Sequence, residues 1–321
     1  MRVSVIIPTL NAGEELNELL KRLKSQSVPP FEMIVMDSES TDGTPKRALT
    51  QGARVYYVKR GEFDHGGTRN QAAAEASGDI LMFMTQDAMP ADERLIEELV
   101  KPLEQGTAAY AYARQLPDDK ANLLERMSRE NNYPQDSHLQ TMEQIQEKGL
   151  RTFFCSNACA AIRRDVFDHF GGFEEPVIFN EDLFMAAQCV MSGKHVAYCA
   201  DAKVYHSHNY SAMQQFKRFF DNGVSMSLHP WMKKYSAIGG AGSSLVKHQL
   251  SGIAREREWL LVPKLITESA AKLIGFKLGM HHKKLPKSIV RRISMHPLIW
   301  RQLSKARNEA LSEAAASKEG K

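Results

Sequence analysis

The chain has 321 residues, room for one large core or a core with a smaller appendage, and its ordinary apolar, charged, Gly and Pro content excludes the disordered and collagen-like classes. Its four cysteines, Cys155, Cys159, Cys189 and Cys199, form no CxxC pair, which argues against a disulfide framework or a zinc ribbon and makes a reducing cytoplasm the simplest home. The net charge of +4 conceals a split: residues 1–210 carry 22 Lys and Arg against 31 Asp and Glu, and residues 211–321 carry 20 against 7. The C-terminal stretch is therefore suited to an anionic partner.

The opening MRVSVIIPTLN has too short an apolar run for a signal peptide and reads as a first β-strand, Val3–Ile7. From Glu14 to Lys24, Leu16, Leu19, Leu20 and Leu23 recur at i, i+3, i+4 and i+7, one apolar helix face. Met33–Met36 and Val55–Val58 read as the next strands, with Thr44 as N-cap and Pro45 at N1 of the helix between them. Ile80–Met84 is too short for a helix and too apolar for an exposed edge, so it reads as a buried parallel strand. This βαβαβ pattern predicts an α/β fold, a mainly parallel sheet flanked by helices.

Downstream, residues 107–113 and 158–162 read as strands around a long polar stretch from Gln115 to Arg151. Val196–Tyr198 and Lys203–Tyr205 read as a hairpin or two short edge strands. Beyond about residue 210 the pattern is helical and basic, with a polar tail from about 310 expected to be disordered. The organisation predicted is a catalytic domain over 1–210 and a helical basic extension over 211–321. No stretch offers about eighteen uninterrupted apolar residues, so no spanning helix is expected.

Open α/β sheets place ligands at the carboxyl ends of their strands, which singles out Asp37 after Ile34-Val35-Met36 and Asp87 after the fourth strand. Asp37 has two readings, a hydrogen-bond acceptor for a base or ribose and a helix cap. Neither a GxGxxG nor a P-loop follows the first strand, where Pro8 to Gly13 stands instead.

At these positions the chain resembles a known family. Val5 to Asn11, Asp37 to Thr44 and Thr85-Gln86-Asp87 look like the opening, nucleotide-binding and metal-binding motifs of family 2 glycosyltransferases with the GT-A fold, over roughly the first 210 residues. Phe63 to Asn70 with Thr85 to Ala88 further resembles the rhamnosyltransferase branch. The resemblance implies donor contacts at Pro8, Thr9, Asn11, Asp37, Ser40, Asp64, His65, Arg69 and Gln86. Arg69 suits the diphosphate as a fixed cation, Gly66 and Gly67 suit a close backbone approach, and Asp64 and His65 face either the sugar or solvent.

The same resemblance implies a divalent cation, Mg²⁺ or Mn²⁺, at Asp87, which matches the last carboxylate of the family's DxD motif. This chain departs from that motif by carrying Thr85 in place of the first Asp. His206, with His208 as the alternative, would complete the metal site. Of the acidic pair opening the next helix, Asp182 aligns with the catalytic base and Glu181 is the reserve, although a helix N-terminus favours acids in any case. The implied activity is inverting transfer of a sugar, L-rhamnose from dTDP-rhamnose, to a hydroxyl of a lipid-linked or polysaccharide acceptor in bacterial surface glycan synthesis.

Two rival readings are a nucleotidyltransferase, disfavoured because Pro8 to Gly13 has no Lys or Arg, and a non-catalytic sugar nucleotide-binding scaffold. In the basic extension, Lys264, Glu268 and Lys272 share one helix face while Leu, Ile and Phe fill the others, and Lys283, Lys284, Lys287, Arg291 and Arg292 follow. Two readings stay open: helices lying on an anionic membrane at its cytoplasmic face, and helices packed on the domain with solvated basic faces. Sparse aromatic interleaving argues against nucleic acid.

Overall fold

The computed structural model describes residues 1–236 and 241–319. Nine strands form a single mixed sheet among the described residues. They are β1 (Val3–Thr9), β2 (Glu32–Asp37), β3 (Arg54–Tyr57), β4 (Ile80–Met84), β5 (Met89–Pro90), β6 (Tyr110–Leu116), β7 (His138–Gln140), β8 (Cys159–Arg163) and β9 (Val196–Tyr205). The order is β3-β2-β1-β4-β8-β6-β9-β5, with β7 also paired to β9.

Pairing directions place the functional rim. β1 is parallel to β2 and β4, β2 to β3, and β6 to β9, while β8 runs antiparallel to both β4 and β6. Six strands therefore point the same way, and the residues following β2, β4, β6 and β9 share one rim with those preceding β8. The chain switches direction of winding between β1 and β4, the crevice where such sheets bind ligands.

Burial follows the apolar runs. All five residues of β4 are buried, and Leu16, Leu19, Leu20 and Leu23 of helix Glu15–Lys24 seal one face of the sheet. Each such side chain contributes roughly 1.5–3 kcal/mol relative to exposure. The opposite face packs Tyr110, Tyr112, Phe153 and Tyr198 against helices Gly67–Glu75 and Glu181–Met191. All four cysteines are buried and unpaired.

Several local expectations are corrected. The hairpin expected at 196–205 is one ten-residue strand, because an irregularity opposite Ala113 and Arg114 absorbs the polar Asp201 without a turn. Thr44 is not the N-cap but the first residue of helix Thr44–Thr50. Gly43 caps it with left-handed backbone (φ 86°), and Asp42 accepts from the Thr44 amide and hydroxyl. Of the tail expected to be disordered, residues 310–319 continue helix Ile299–Glu319, with a strongly helix-favouring Ala, Glu and Lys content, and 320–321 lie outside the described residues.

Residues beyond 210 wrap back onto the sheet domain. Helices Ala212–Leu228 and Val262–Met280 cross at glycines: a Cβ on Gly223 would collide with the Phe276 carbonyl, and one on Gly275 or Gly279 with the Phe216 or Phe220 carbonyl. Asp221, fully buried, accepts hydrogen bonds from the Met295 and His296 amides at 2.8 and 3.1 Å. Gln302 donates to the Phe63 carbonyl at 3.1 Å. The segment after residue 290 is thus latched against the loop that precedes helix Gly67–Glu75.

Candidate functional site

Two cavities of about 500 and 570 Å³ open on the rim and share His65, Arg69, Thr85 and Asp87 as a common wall. The larger lies over the ends of β1 and β2, lined by Pro8, Thr9, Leu10 and Ser38, and is closed by Met295 to Ile299 from the C-terminal extension. The smaller is bounded by Asn157, Glu181 and Asp182 on the sheet side and by Arg218, Glu268 and Lys272 on the extension.

At the junction, Asp87, His206 and His208 bring one ligand atom each within 4.8 Å of one another. The Nε2 atoms of His206 and His208 lie 3.5 and 3.4 Å from the Asp87 carboxylate and 3.1 Å from each other. The side chain of His206 is only 11 % exposed against 39 % for Asp87, so the imidazole is the fixed partner. Burial works to raise the Asp87 carboxyl, but His206, then Thr85 and His208, hold it well below the usual carboxylate range.

Gln115 sets the His206 tautomer. Its Oε1 accepts a hydrogen bond from Arg129, which fixes the amide, and its Nε2 donates to Ser156 at 2.8 Å. His206 Nδ1, 2.9 Å from Oε1, must then donate, so that in the neutral imidazole Nε2 is the unprotonated nitrogen and faces Asp87. A backing carbonyl of this kind is the second layer that metal-binding histidines characteristically have. One carboxylate and two imidazoles, so backed, fit a divalent first-row cation such as Mn²⁺. Neither Gln115 nor Arg129 stood out in the sequence, where they lie in a polar stretch without a motif.

The acidic pair is arranged differently. Glu181 is buried, 3.5 Å from Arg69, and accepts from the Asn157 amide side chain at 3.2 Å. Asp182 accepts from the Asn157 and Leu183 backbone amides at 3.0 and 2.8 Å. Burial, then the neighbouring Glu181 charge, raises the Asp182 carboxyl to about 7. Asn157 also accepts from the Tyr110 hydroxyl at 2.6 Å, so this one residue orients both acids. It precedes β8, and only the antiparallel direction of that strand brings it to the rim.

Arg69 is buried in the common wall. It donates to the His65 carbonyl at 2.8 Å, and its Nε has no partner. His65 and His296 stack edge to face at 4.8 Å. Burial pushes both imidazoles down to about 3, aided at His65 by Arg69 and at His296 by His65 itself, so both stay neutral. Arg218 lies over the rings of Phe179 and Tyr210 at 4.7 and 5.7 Å, a second cation on the smaller cavity.

The remaining candidates brace the rim. Asp37 accepts from the Thr9 hydroxyl at 3.0 Å and from the Ser40 amide at 2.9 Å, holding a loop turn and not a helix end. Asn11, at φ 48°, and Ser40 latch their two loops together: the Asn11 amide donates to Ser40 Oγ and the Thr41 amide to Asn11 Oδ1. Gln86 exchanges hydrogen bonds with the Leu10 backbone. Asp64, raised to about 6 by burial, accepts from the Gly67 and Val177 amides. Gly66 and Gly67 are required by the protein's own packing: a Cβ on Gly66 would strike the Glu174 carbonyl, and one on Gly67 would come within 2.6 Å of Glu175 Oε2.

The family model for glycosyl transferase family 2 matches residues 4–171, just over half of the chain, a span that includes the rim residues from Thr9 to Asn157 and ends before Glu181, Asp182, His206 and His208. The chain belongs to glycosyltransferase family 2. Within that family it is similar to the O-antigen chain rhamnosyltransferases WbaN of Salmonella anatum, 37% identical over 94% of this chain and 96% of the relative, and RfbN of Salmonella typhimurium, 38% identical over 94% and 97%.

Its fold is similar to the mannosyltransferase PcManGT of Pyrobaculum calidifontis, a complex with GDP-Man and Mn2+ (TM-score 0.59, 19% identity, 88% of each chain). It is also similar to TarS 1-349 of S. aureus with UDP-GlcNAc (TM-score 0.53, 17% identity, 100% of this chain and 93% of that one). The expected GT-A architecture of this glycosyltransferase is therefore the one observed.

Proposed function

We propose that the chain transfers L-rhamnose from dTDP-rhamnose to a hydroxyl of a lipid-linked or polysaccharide acceptor in bacterial surface glycan synthesis, working in the cytoplasm at the inner face of the membrane. The similarity to two O-antigen chain rhamnosyltransferases along nearly the whole chain carries this reading. In it the larger cavity takes the nucleoside and the smaller takes sugar and acceptor, with the diphosphate at the shared wall beside Arg69.

Asp87, His206 and His208 would hold a divalent cation, which when bound supplies positive charge against the leaving diphosphate. Arg69 and Arg218 add fixed charge on the same side. Asp182 takes the proton as the acceptor oxygen forms its bond to the anomeric carbon. The bond from that carbon to the diphosphate oxygen breaks, the nucleoside diphosphate keeps the electron pair, and the configuration inverts. The neutral His65 and His296 pair stacks beside the diphosphate without competing for the proton.

A panel of dTDP-rhamnose, UDP-GlcNAc and GDP-mannose, assayed for metal-dependent turnover, tests the donor. Preference for dTDP-rhamnose is expected. Turnover of another donor with none of dTDP-rhamnose would refute the assignment, and metal-dependent binding without any turnover would favour the scaffold reading.

A further inference from the structure

The helix Val262–Met280 exposes an apolar row on its outer side while part of its polar side faces the protein: Glu268 is buried, and Lys272 lines the smaller cavity beside it. Its glycines Gly275 and Gly279 meet the helix Ala212–Leu228. Outward, between Lys264 near the start and Lys277 near the end, Ile266, Leu273 and Ile274 are exposed by 63, 55 and 52 % at i, i+7 and i+8. The turn before it adds Trp259 at 61 % and Leu260 at 92 %. An apolar stripe of this size, left facing water, marks an interaction surface. The two sequence readings for this helix are thus both altered, since Glu268 and Lys272 turn inward while Lys264 and the apolar row stay exposed.

We infer that this stripe is a monotopic docking surface for an anionic lipid bilayer. This rests on the proposed transfer to a lipid-linked acceptor, and it places that acceptor's cavity against the membrane. Charge selects the occupant: residues 211–321 carry 20 Lys and Arg against 7 Asp and Glu. Lys277, within the exposed stripe, and Lys283 and Lys284, just past the helix end, are exposed. A second copy would bring the same positive charge against itself, whereas anionic headgroups complement it. The geometry is that of an in-plane helix, with Trp259 and Leu260 as the deepest anchors and lysines at headgroup level. No helix among the described residues is long and apolar enough to cross a membrane, so attachment by a face is the mode this surface permits.

Flotation of the full chain with phosphatidylcholine vesicles, with and without about 30 mol% phosphatidylglycerol, tests the surface. Binding to the anionic vesicles is expected, weakened by salt, and reduced at least about tenfold in the triple variant Leu260→Gln, Ile266→Gln, Leu273→Gln. Lys283→Gln with Lys284→Gln is expected to weaken binding and flatten its salt dependence. No flotation of the wild type, or equal flotation of the triple variant, would overturn the inference. So would a dimer in solution that the triple variant dissociates. Metal-dependent hydrolysis of dTDP-rhamnose by the same variant in detergent keeps the two readings apart: the docking surface predicts it unchanged, and its loss in the wild type would count against the donor and not against the surface.

Discussion

Asp182 offers the sharpest test of the proposed chemistry. Replacing it with Asn removes the proton acceptor, for which a loss of about 10²- to 10⁴-fold in turnover is expected, or roughly 3–5 kcal/mol in the barrier. Both Asp182 oxygens accept backbone amides, so Asn must turn its own NH₂ toward one of them. The cost to stability is about 1–3 kcal/mol, and a melting curve must accompany the assay.

The pH profile separates the two effects. With Asp182 raised to about 7 by burial and by Glu181, turnover should rise tenfold per unit below that value and level off above it. Glu181→Gln deletes the like charge and frees Arg69, and both changes favour the ionised Asp182. Removing a neighbouring like charge favours the ionised form, so the shoulder is expected to move downward by about one pH unit. An unmoved shoulder in Glu181→Gln, or wild-type turnover in Asp182→Asn, would refute the assignment of the base.

The metal site predicts that Asp87→Ala abolishes metal-dependent binding of dTDP in calorimetry and that chelator silences the wild type; activity lost in Asp87→Ala but indifferent to chelator would exclude a metal role. Gln115→Met should weaken Mn²⁺ binding about 10- to 100-fold with the fold retained, because His206 loses the acceptor that fixes its tautomer. The carboxyl of Asp221 is raised to about 7 by burial. A raised pKa contributes stability at low pH that is lost as pH rises from the unfolded to the folded value, so Asp221→Asn should flatten the fall in melting temperature between about pH 4 and 7. Gly279→Ala should lower stability by about 2 kcal/mol or more, measured by denaturant titration, since the added methyl pushes the crossing helices apart. Equal midpoints for variant and wild type would show the crossing to be loose.

The legible features of this chain were those governed by local pattern. Leu16, Leu19, Leu20 and Leu23 declared a helix face, Ile80–Met84 a buried strand, and their order a parallel start to the sheet. Asp87, Asp182 and His206 were accessible because each follows a strand or opens a helix within a recognisable motif. Asn157 and Gln115 were not, because their roles depend on the direction of β8 and on Arg129 arriving from another helix. The same distance effect hid His296 and Asp221, whose partners lie more than seventy residues away in sequence. Asp37 and Gln86 were marked by the motif, and the structure adds what it could not show: Asp37 accepts from the Thr9 hydroxyl and the Ser40 amide, and Gln86 pairs with the Leu10 backbone.

Thr85 poses a charge problem that the geometry answers. A DxD motif would offer a cation two carboxylates, whereas here there is one, Asp87, with two imidazoles that are neutral as ligands. The protein's share of charge at the site is therefore −1, too little to retain a hard divalent ion without help. A donor diphosphate contributes further anionic oxygens, so cation and donor should bind with positive coupling, each raising the other's affinity by the same factor. The imidazoles also shift preference toward Mn²⁺ over Mg²⁺, which favours oxygen ligands. On the proposed reading, the threonine leaves a site that its substrate would complete, with His206 and Arg69 held in place to receive it.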